Sequence, residues 1–141
     1  KGCEKLQGQI TSATCSITQR AAIEALTGDL TASHDMLKAF TDRRKRILKL
    51  LTEIPSVACA EPDGAFYVFP KVDAYFGKKH GDAVIANADD LCMYLLNTAH
   101  VSTVTGTAFG EPTCIRISFA NSMTNIEKAV ERIKKALAAL Q

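Results

Sequence analysis

Three observations predict an α+β fold. Apolar residues recur at helical spacing over Ile17 to Leu26, Leu37 to Ile54 and Ile126 to Leu140. Between the last two stretches the period falls to two, with Ile115, Ile117 and Phe119 alternating with Cys114, Arg116 and Ser118. The resulting order is helix, long helix, strands, helix, strands, helix. It predicts a short mixed or antiparallel sheet with helices packed on one face.

Along the chain, Gln7 to Ser16 is rich in Gln, Thr and Ser and is expected as a polar loop. The positions Ile17, Ala21, Ala22, Ala25 and Leu26 then form a helix that Gly28 ends. Ser33 is the expected cap of the next helix, whose stripe runs Leu37, Phe40, Ile47, Leu51 and Ile54, with Arg44 at the missing step. Pro55 stops it. The run Arg43-Arg44-Lys45-Arg46 within that helix reads as a solvated outer face rather than a nucleic-acid patch. Short strands alone cannot bury so long a stripe, so the helix is expected to span more than one subdomain.

Val57 to Ala60 reads as a short strand, Glu61-Pro62-Asp63-Gly64 as a turn, and Ala65-Phe66-Tyr67-Val68-Phe69 as a strand ended by Pro70. Lys71 to Gly81 is mixed and polar, a surface excursion. Asn87 or Ala88 opens a helix to Thr98 with Leu91, Tyr94 and Leu95 on one face. Val101 to Val104 is a short strand, and Thr105 to Pro112 is a loop with two glycines, Gly106 and Gly110. The last helix opens on a capping box, Thr124-x-x-Glu127, and runs Ile126, Val130, Ile133, Leu137 and Leu140 down one side.

Composition excludes several classes. With 141 residues, 47% hydrophobic and 23% charged, the chain can bury a core and is not disordered. A net charge of +2 gives no argument for nucleic acid or an acidic membrane, and neither partner is expected. No apolar run reaches the roughly 18 residues of a membrane span. The chain opens Lys1-Gly2-Cys3, without Met or a signal pattern, and is expected to be a fragment or excised domain. Its five cysteines lie far apart with no C-x-x-C or zinc spacing, so they are expected to be reduced, in a cytoplasmic protein.

Arg116 is the strongest candidate for chemistry. It sits mid-strand in a segment that otherwise reads as buried, where an unpaired charge is costly. The pattern leaves two readings open: an internal ion pair or an edge-strand side chain reaching water, and a guanidinium in a cleft gripping a ligand carboxylate. The Gly106 to Gly110 loop has neither recognised phosphate-binding spacing. His34, His80 and His100 are scattered, and no Ser or Cys has a base beside it.

Four segments together resemble a family. Gln9 to Gln19 followed by Ala21 to Leu26 looks like the stretch after the cofactor-lysine region of fold-type I pyridoxal-phosphate aminotransferases of class I, the aspartate aminotransferase group. Pro62-Asp63-Gly64-Ala65-Phe66-Tyr67-Val68 resembles their P-x-G-A-F-Y-V segment. Val101 to Gly110 resembles V-x-x-x-P-G-x-x-F-G, and Cys114 to Ala120 resembles [VI]-R-[IL]-S-[FY]-A. Order and spacing match over essentially the whole chain.

The resemblance implies that residues 1–29 end the large cofactor-binding domain and residues 30–141 form the small C-terminal domain. The long helix between them is then interdomain. It implies that Arg116 binds the substrate α-carboxylate and that Phe66 lines the substrate side of the pocket. It implies that Gln9 to Ser16 approaches the partner's site in a homodimer, and that the Ile17 to Leu26 helix exposes apolar surface without the rest of the large domain. The parent would move an amino group from an amino acid, with aspartate the leading choice, to a 2-keto acid. The cofactor would be pyridoxal phosphate. No lysine here matches the Schiff-base lysine, so no catalytic, cofactor-binding or metal-binding residue is expected in this chain, and alone it is expected to be inactive. Thr105 stands where the family usually has Pro, which predicts a less rigid loop. The alternatives are a lyase of the same fold and a stand-alone small-ligand binding module.

Overall fold

Residues 1–141 are all described by the computed structural model. Helix α1 spans Gly2–Ile10 and takes in Gln7 to Ile10, the first part of the stretch expected as a polar loop. Lys, Glu, Leu and Gln are good helix formers, and none of the helix's residues is buried. Thr11 closes it, with its N–H and its hydroxyl on the Gln7 carbonyl at 2.9 and 3.1 Å. Helix α2 follows at Ser16–Thr27 and ends as expected at Gly28, whose N–H reaches the Glu24 carbonyl at 2.8 Å.

Helix α3 spans Thr31–Thr52, 22 residues. Its start is held by Asp29 and not by Ser33. The Asp29 carboxylate accepts from the Thr31 N–H at 2.9 Å and the Thr31 hydroxyl at 2.6 Å, and this holds its pKa below the usual value. Of the expected stripe, Ile47, Leu51 and Ile54 are buried and Phe40 packs against them, whereas Leu37 is exposed.

The basic run is not a uniformly solvated face. Arg44 turns inward, with Nη1 on the Pro62 carbonyl at 2.8 Å and Nη2 3.4 Å from Glu61. It thereby fastens the turn before Phe66 to α3. Arg46 pairs with Glu127 at 2.6 Å, and Arg43 lies over the Phe40 ring at 5.1 Å.

The chain divides into two units, Lys1–Leu37 and Lys38–Gln141. In the first, α1 and α2 bury none of their residues, and Leu6, Ile17, Ile23 and Leu26 are exposed. The second holds the core. Its sheet has the order β1 (Tyr67–Val68), β5 (Ile115–Ser118), β4 (Val104–Thr105), all antiparallel. Tyr67 pairs with Ser118, Val68 with Ile117, and Val104 with Arg116. The strands are shorter than the sequence suggests. Val57 to Ala60 contributes a single bridge, Ala58 to Lys71, which bridges in turn to Cys114.

Residues 71 to 81 are a surface excursion only in part. Val72 and Tyr75 are buried, Val72 N–H donates to the Thr113 carbonyl at 2.9 Å, and the Tyr75 hydroxyl donates to the Pro55 carbonyl. A short 3-10 turn at Asp73–Tyr75 carries them in, without a period a sequence pattern could show. A hairpin of β2 (Lys79–His80) and β3 (Ala83–Val84) follows. Gln141 extends it through two backbone hydrogen bonds with Lys79, at 2.8 and 3.0 Å.

Helix α4 (Ala88–Tyr94) continues as a π-helical turn, Leu95–Ala99, and buries Leu91, Tyr94 and Leu95 as expected. Helix α5 (Met123–Ala138) buries Ile126, Val130, Ile133 and Leu137, with Leu140 beyond its end. Its cap is Ser122, whose hydroxyl accepts from the Asn125 N–H at 3.2 Å, and not Thr124. Two hydroxyls two residues apart compete for this role, and the extended backbone at Ser122 decides it. Ile115, Ile117 and Phe119 join the α3, α4 and α5 stripes in one core. The other face of β5 is left to Arg116 and Ser118.

Candidate functional site

Strand alternation places Arg116 on that second face. Its neighbours Ile115 and Ile117 are buried, and Arg116 itself is half-buried. Cross-strand pairing then decides what it meets. Tyr67 lies opposite Ser118, one same-face step from Arg116, and its ring centroid is 4.3 Å from the Arg116 guanidinium carbon. The ring of Phe109 lies 4.2 Å away.

No carboxylate accompanies this charge. The ion pairs of the chain join other residues: Arg44 with Glu61, Arg46 with Glu127, Lys71 with Asp73, Lys134 with Glu53 and Lys135 with Glu131. The internal-ion-pair reading of Arg116 therefore fails. Its charge is stabilised by two ring faces, and the five N–H donors at its edges remain available to an acceptor.

The loop that delivers Phe109 is built tightly. Gly106–Phe109 is a 3-10 turn capped by the Thr105 hydroxyl, which accepts from the Thr107 N–H at 3.3 Å and lies 3.1 Å from the Thr107 hydroxyl. Thr105 thus supplies a cap where the resemblance led us to expect a slacker loop. Gly106 is buried, with its N–H on the Cys114 carbonyl at 2.8 Å and its carbonyl accepting from the Glu111 N–H at 3.1 Å. Gly110 takes φ 80°, where glycine carries no penalty. Beyond it Glu111 accepts from the Thr113 hydroxyl and N–H, which lowers its pKa from the ordinary value.

Phe66 sits one step away from Arg116. Its ring is 40% exposed, 4.5 Å from Tyr67 and 6.1 Å from Phe40. Its carbonyl accepts from the Phe119 N–H at 2.9 Å, which extends the β1–β5 ladder. Tyr67 stands between the two candidates, so the structure joins Arg116 and Phe66 only through a third ring. Phe69 backs Phe109 edge-on, with centroids 6.3 Å apart and planes at 87°. Tyr67 and Phe109 were not expected at the site, although they lie in the segments Pro62 to Val68 and Val101 to Gly110. Tyr67 was accessible from strand pairing, and Phe109 arrives from a loop that no local pattern places.

The lysines do not form a cofactor pocket. All are exposed except the half-buried Lys78, which lies 5.2 Å from the Tyr75 ring. No step of cofactor chemistry is assigned to the lysines of this chain.

The sequence profile described as aminotransferase class I and II matches residues 1–133. A bifunctional aspartate aminotransferase and glutamate/aspartate-prephenate aminotransferase of Petunia hybrida is 46% identical over 145 aligned residues, covering 99% of this chain and 30% of the relative. A probable aspartate/prephenate aminotransferase of Rickettsia prowazekii is 44% identical, covering 96% of this chain and 34% of the relative. The crystal structure of the aspartate aminotransferase from Rhizobium meliloti superposes with a TM-score of 0.87 at 36% identity, over 96% of this chain and 34% of that one. The chain spans about a third of the length of each of these proteins.

Proposed function

The chain belongs to the class I and II aminotransferase family, and from that premise we propose that it is the C-terminal part of a longer aminotransferase, in which Arg116 binds the α-carboxylate of the amino-acid and keto-acid substrates. Residues 1–29 are then the end of a large domain and residues 30–141 the small domain. The family's chemistry depends on pyridoxal phosphate, whose site the rest of the protein supplies. Aspartate is the proposed amino donor, since the relatives include enzymes named for aspartate. The assembled enzyme is proposed to be a homodimer, and a cytoplasmic location is proposed from the five widely spaced cysteines, none of which is paired.

One observation carries the Arg116 assignment. A half-buried guanidinium without an anionic partner in this chain lies over two rings, 4.3 Å from the Tyr67 centroid and 4.2 Å from the Phe109 centroid. Every amino acid and 2-keto acid carries a carboxylate, and a planar fork fixes its orientation through two parallel N–H···O bonds. Fixing that end of the substrate positions the amino group for transfer. Phe66 extends the ring surface beside Tyr67 and supplies an apolar wall.

The test is steady-state kinetics of the full-length protein with and without Arg116→Ala. Loss of a charge-assisted bidentate contact of about 1.5–3 kcal/mol predicts a fall in kcat/KM of roughly tenfold to more than a hundredfold for every amino acid. Unchanged kcat/KM in a correctly folded variant would remove Arg116 from the substrate site. Turnover that needs a 2-keto acid acceptor marks a transaminase; ammonia release without an acceptor marks a lyase.

A further inference from the structure

We infer that Tyr67 and Phe109 are positioning residues, a pair of ring jaws that fix the plane of the Arg116 guanidinium and so set the affinity of the site for carboxylates. The inference rests on the assignment of Arg116 to the substrate carboxylate.

A guanidinium is weakly hydrated on its faces and strongly hydrogen-bonding at its edges. Tyr67 at 4.3 Å and Phe109 at 4.2 Å occupy the near space around its carbon, and both contacts fall within the range of a cation–π interaction. They come from different elements, β1 and the loop after β4, so the side chain is confined from two directions. No carboxylate competes for its edges. A bidentate carboxylate must lie close to the guanidinium plane, and a plane fixed before binding removes part of the ordering cost.

The jaws are themselves braced. Phe66 packs on Tyr67 at 4.5 Å and Phe69 on Phe109 at 6.3 Å. The Thr105 cap and the buried Gly106 hold the turn that carries Phe109. The ring is what the role requires, since neither the Tyr67 hydroxyl nor any other polar atom of the jaws is engaged with Arg116.

The experiment is made in the full-length protein, with an amino-acid donor at saturating keto acid. Tyr67→Leu and Phe109→Leu remove the rings, whereas Tyr67→Phe and Phe109→Tyr keep them. Freeing one rotamer-rich side chain predicts a KM raised about three- to tenfold in each Leu variant, with kcat changed by less than about twofold. The ring-retaining variants stay within about twofold of the parent. In an Arg116→Ala background, removing either ring should raise KM no further, the non-additivity expected of residues that act through one another. Leu variants with the parental KM, where Arg116→Ala raises it, overturn the jaws and leave the carboxylate assignment standing. KM increases that persist undiminished in the Arg116→Ala background also overturn the inference, because they report general loosening. An Arg116→Ala variant with parental KM removes the underlying assignment, and the inference falls with it.

Discussion

Gly106→Ala is expected to damage the loop before β5 far more than one methyl group suggests. A Cβ built at Gly106 would fall well inside van der Waals distance of the Glu111 and Cys114 carbonyl oxygens. Both are backbone atoms and cannot swing aside as a long side chain would. Relief requires opening the loop, which lengthens the Gly106–Cys114 and Glu111–Gly106 hydrogen bonds, now 2.8 and 3.1 Å. Two buried backbone bonds at about 1 kcal/mol each, with the desolvation of groups left unpaired, give a loss of about 2–4 kcal/mol. The reduced freedom of the unfolded chain returns about 0.4–1 kcal/mol, leaving about 1–3 kcal/mol. Urea denaturation of the full-length protein, followed by far-ultraviolet circular dichroism, reads this as a lower midpoint at unchanged slope. Phe109 sits in the displaced turn, so KM for the amino donor should rise as well. A variant with both the parental midpoint and the parental KM would refute the packing argument.

Two further outcomes follow from local chemistry. Burial pushes the thiols of Cys59, Cys92 and Cys114 above their usual pKa, and the thiolate is the reactive form. Iodoacetamide labelling followed by mass spectrometry should therefore modify exposed Cys3 and Cys15 of the isolated chain first, and Cys114 should gain rate as the pH rises further into the alkaline range. The sign for stability is the same: the contribution of these neutral thiols is complete below the unfolded thiol pKa and is lost as pH rises through the higher folded value. Early modification of Cys114 at neutral pH would contradict its burial. At the start of α5, Ser122→Ala should cost about 0.5–2 kcal/mol, and Thr124→Ala less than about 0.5 kcal/mol. Equal effects in chemical denaturation would contradict the observed cap.

Elements that bury a periodic face were legible in the sequence. The α5 stripe from Ile126 to Leu140 and the alternation of Ile115, Ile117 and Phe119 both lie in the core as their spacing requires. Helix α1 was not legible because Gly8 and the Gln, Thr and Ser residues that follow it look like loop chemistry although the helix runs to Ile10, and Val72 and Tyr75 were not because a single 3-10 turn has no period to display. Arg44 was placed at the right step of its stripe, yet its inward turn depends on the Pro62 carbonyl, 18 positions away. The site divides in the same way. Arg116 is visible as a charge in an apolar strand, whereas its pairing with Tyr67 needs the β1–β5 register and its contact with Phe109 needs the folded loop. Thr105 shows that a departure from the family pattern can be offset locally, by a hydroxyl cap in place of a fixed ring.

The most direct measurement is the crystal structure of the full-length protein with an unreactive dicarboxylate analogue of aspartate. One carboxylate of the analogue is expected in the plane of the Arg116 guanidinium, with two N···O distances of about 2.7–2.9 Å, and the rings of Tyr67 and Phe109 still beside it. An analogue bound with both carboxylates on other residues, and Arg116 still without an anionic partner, would contradict it.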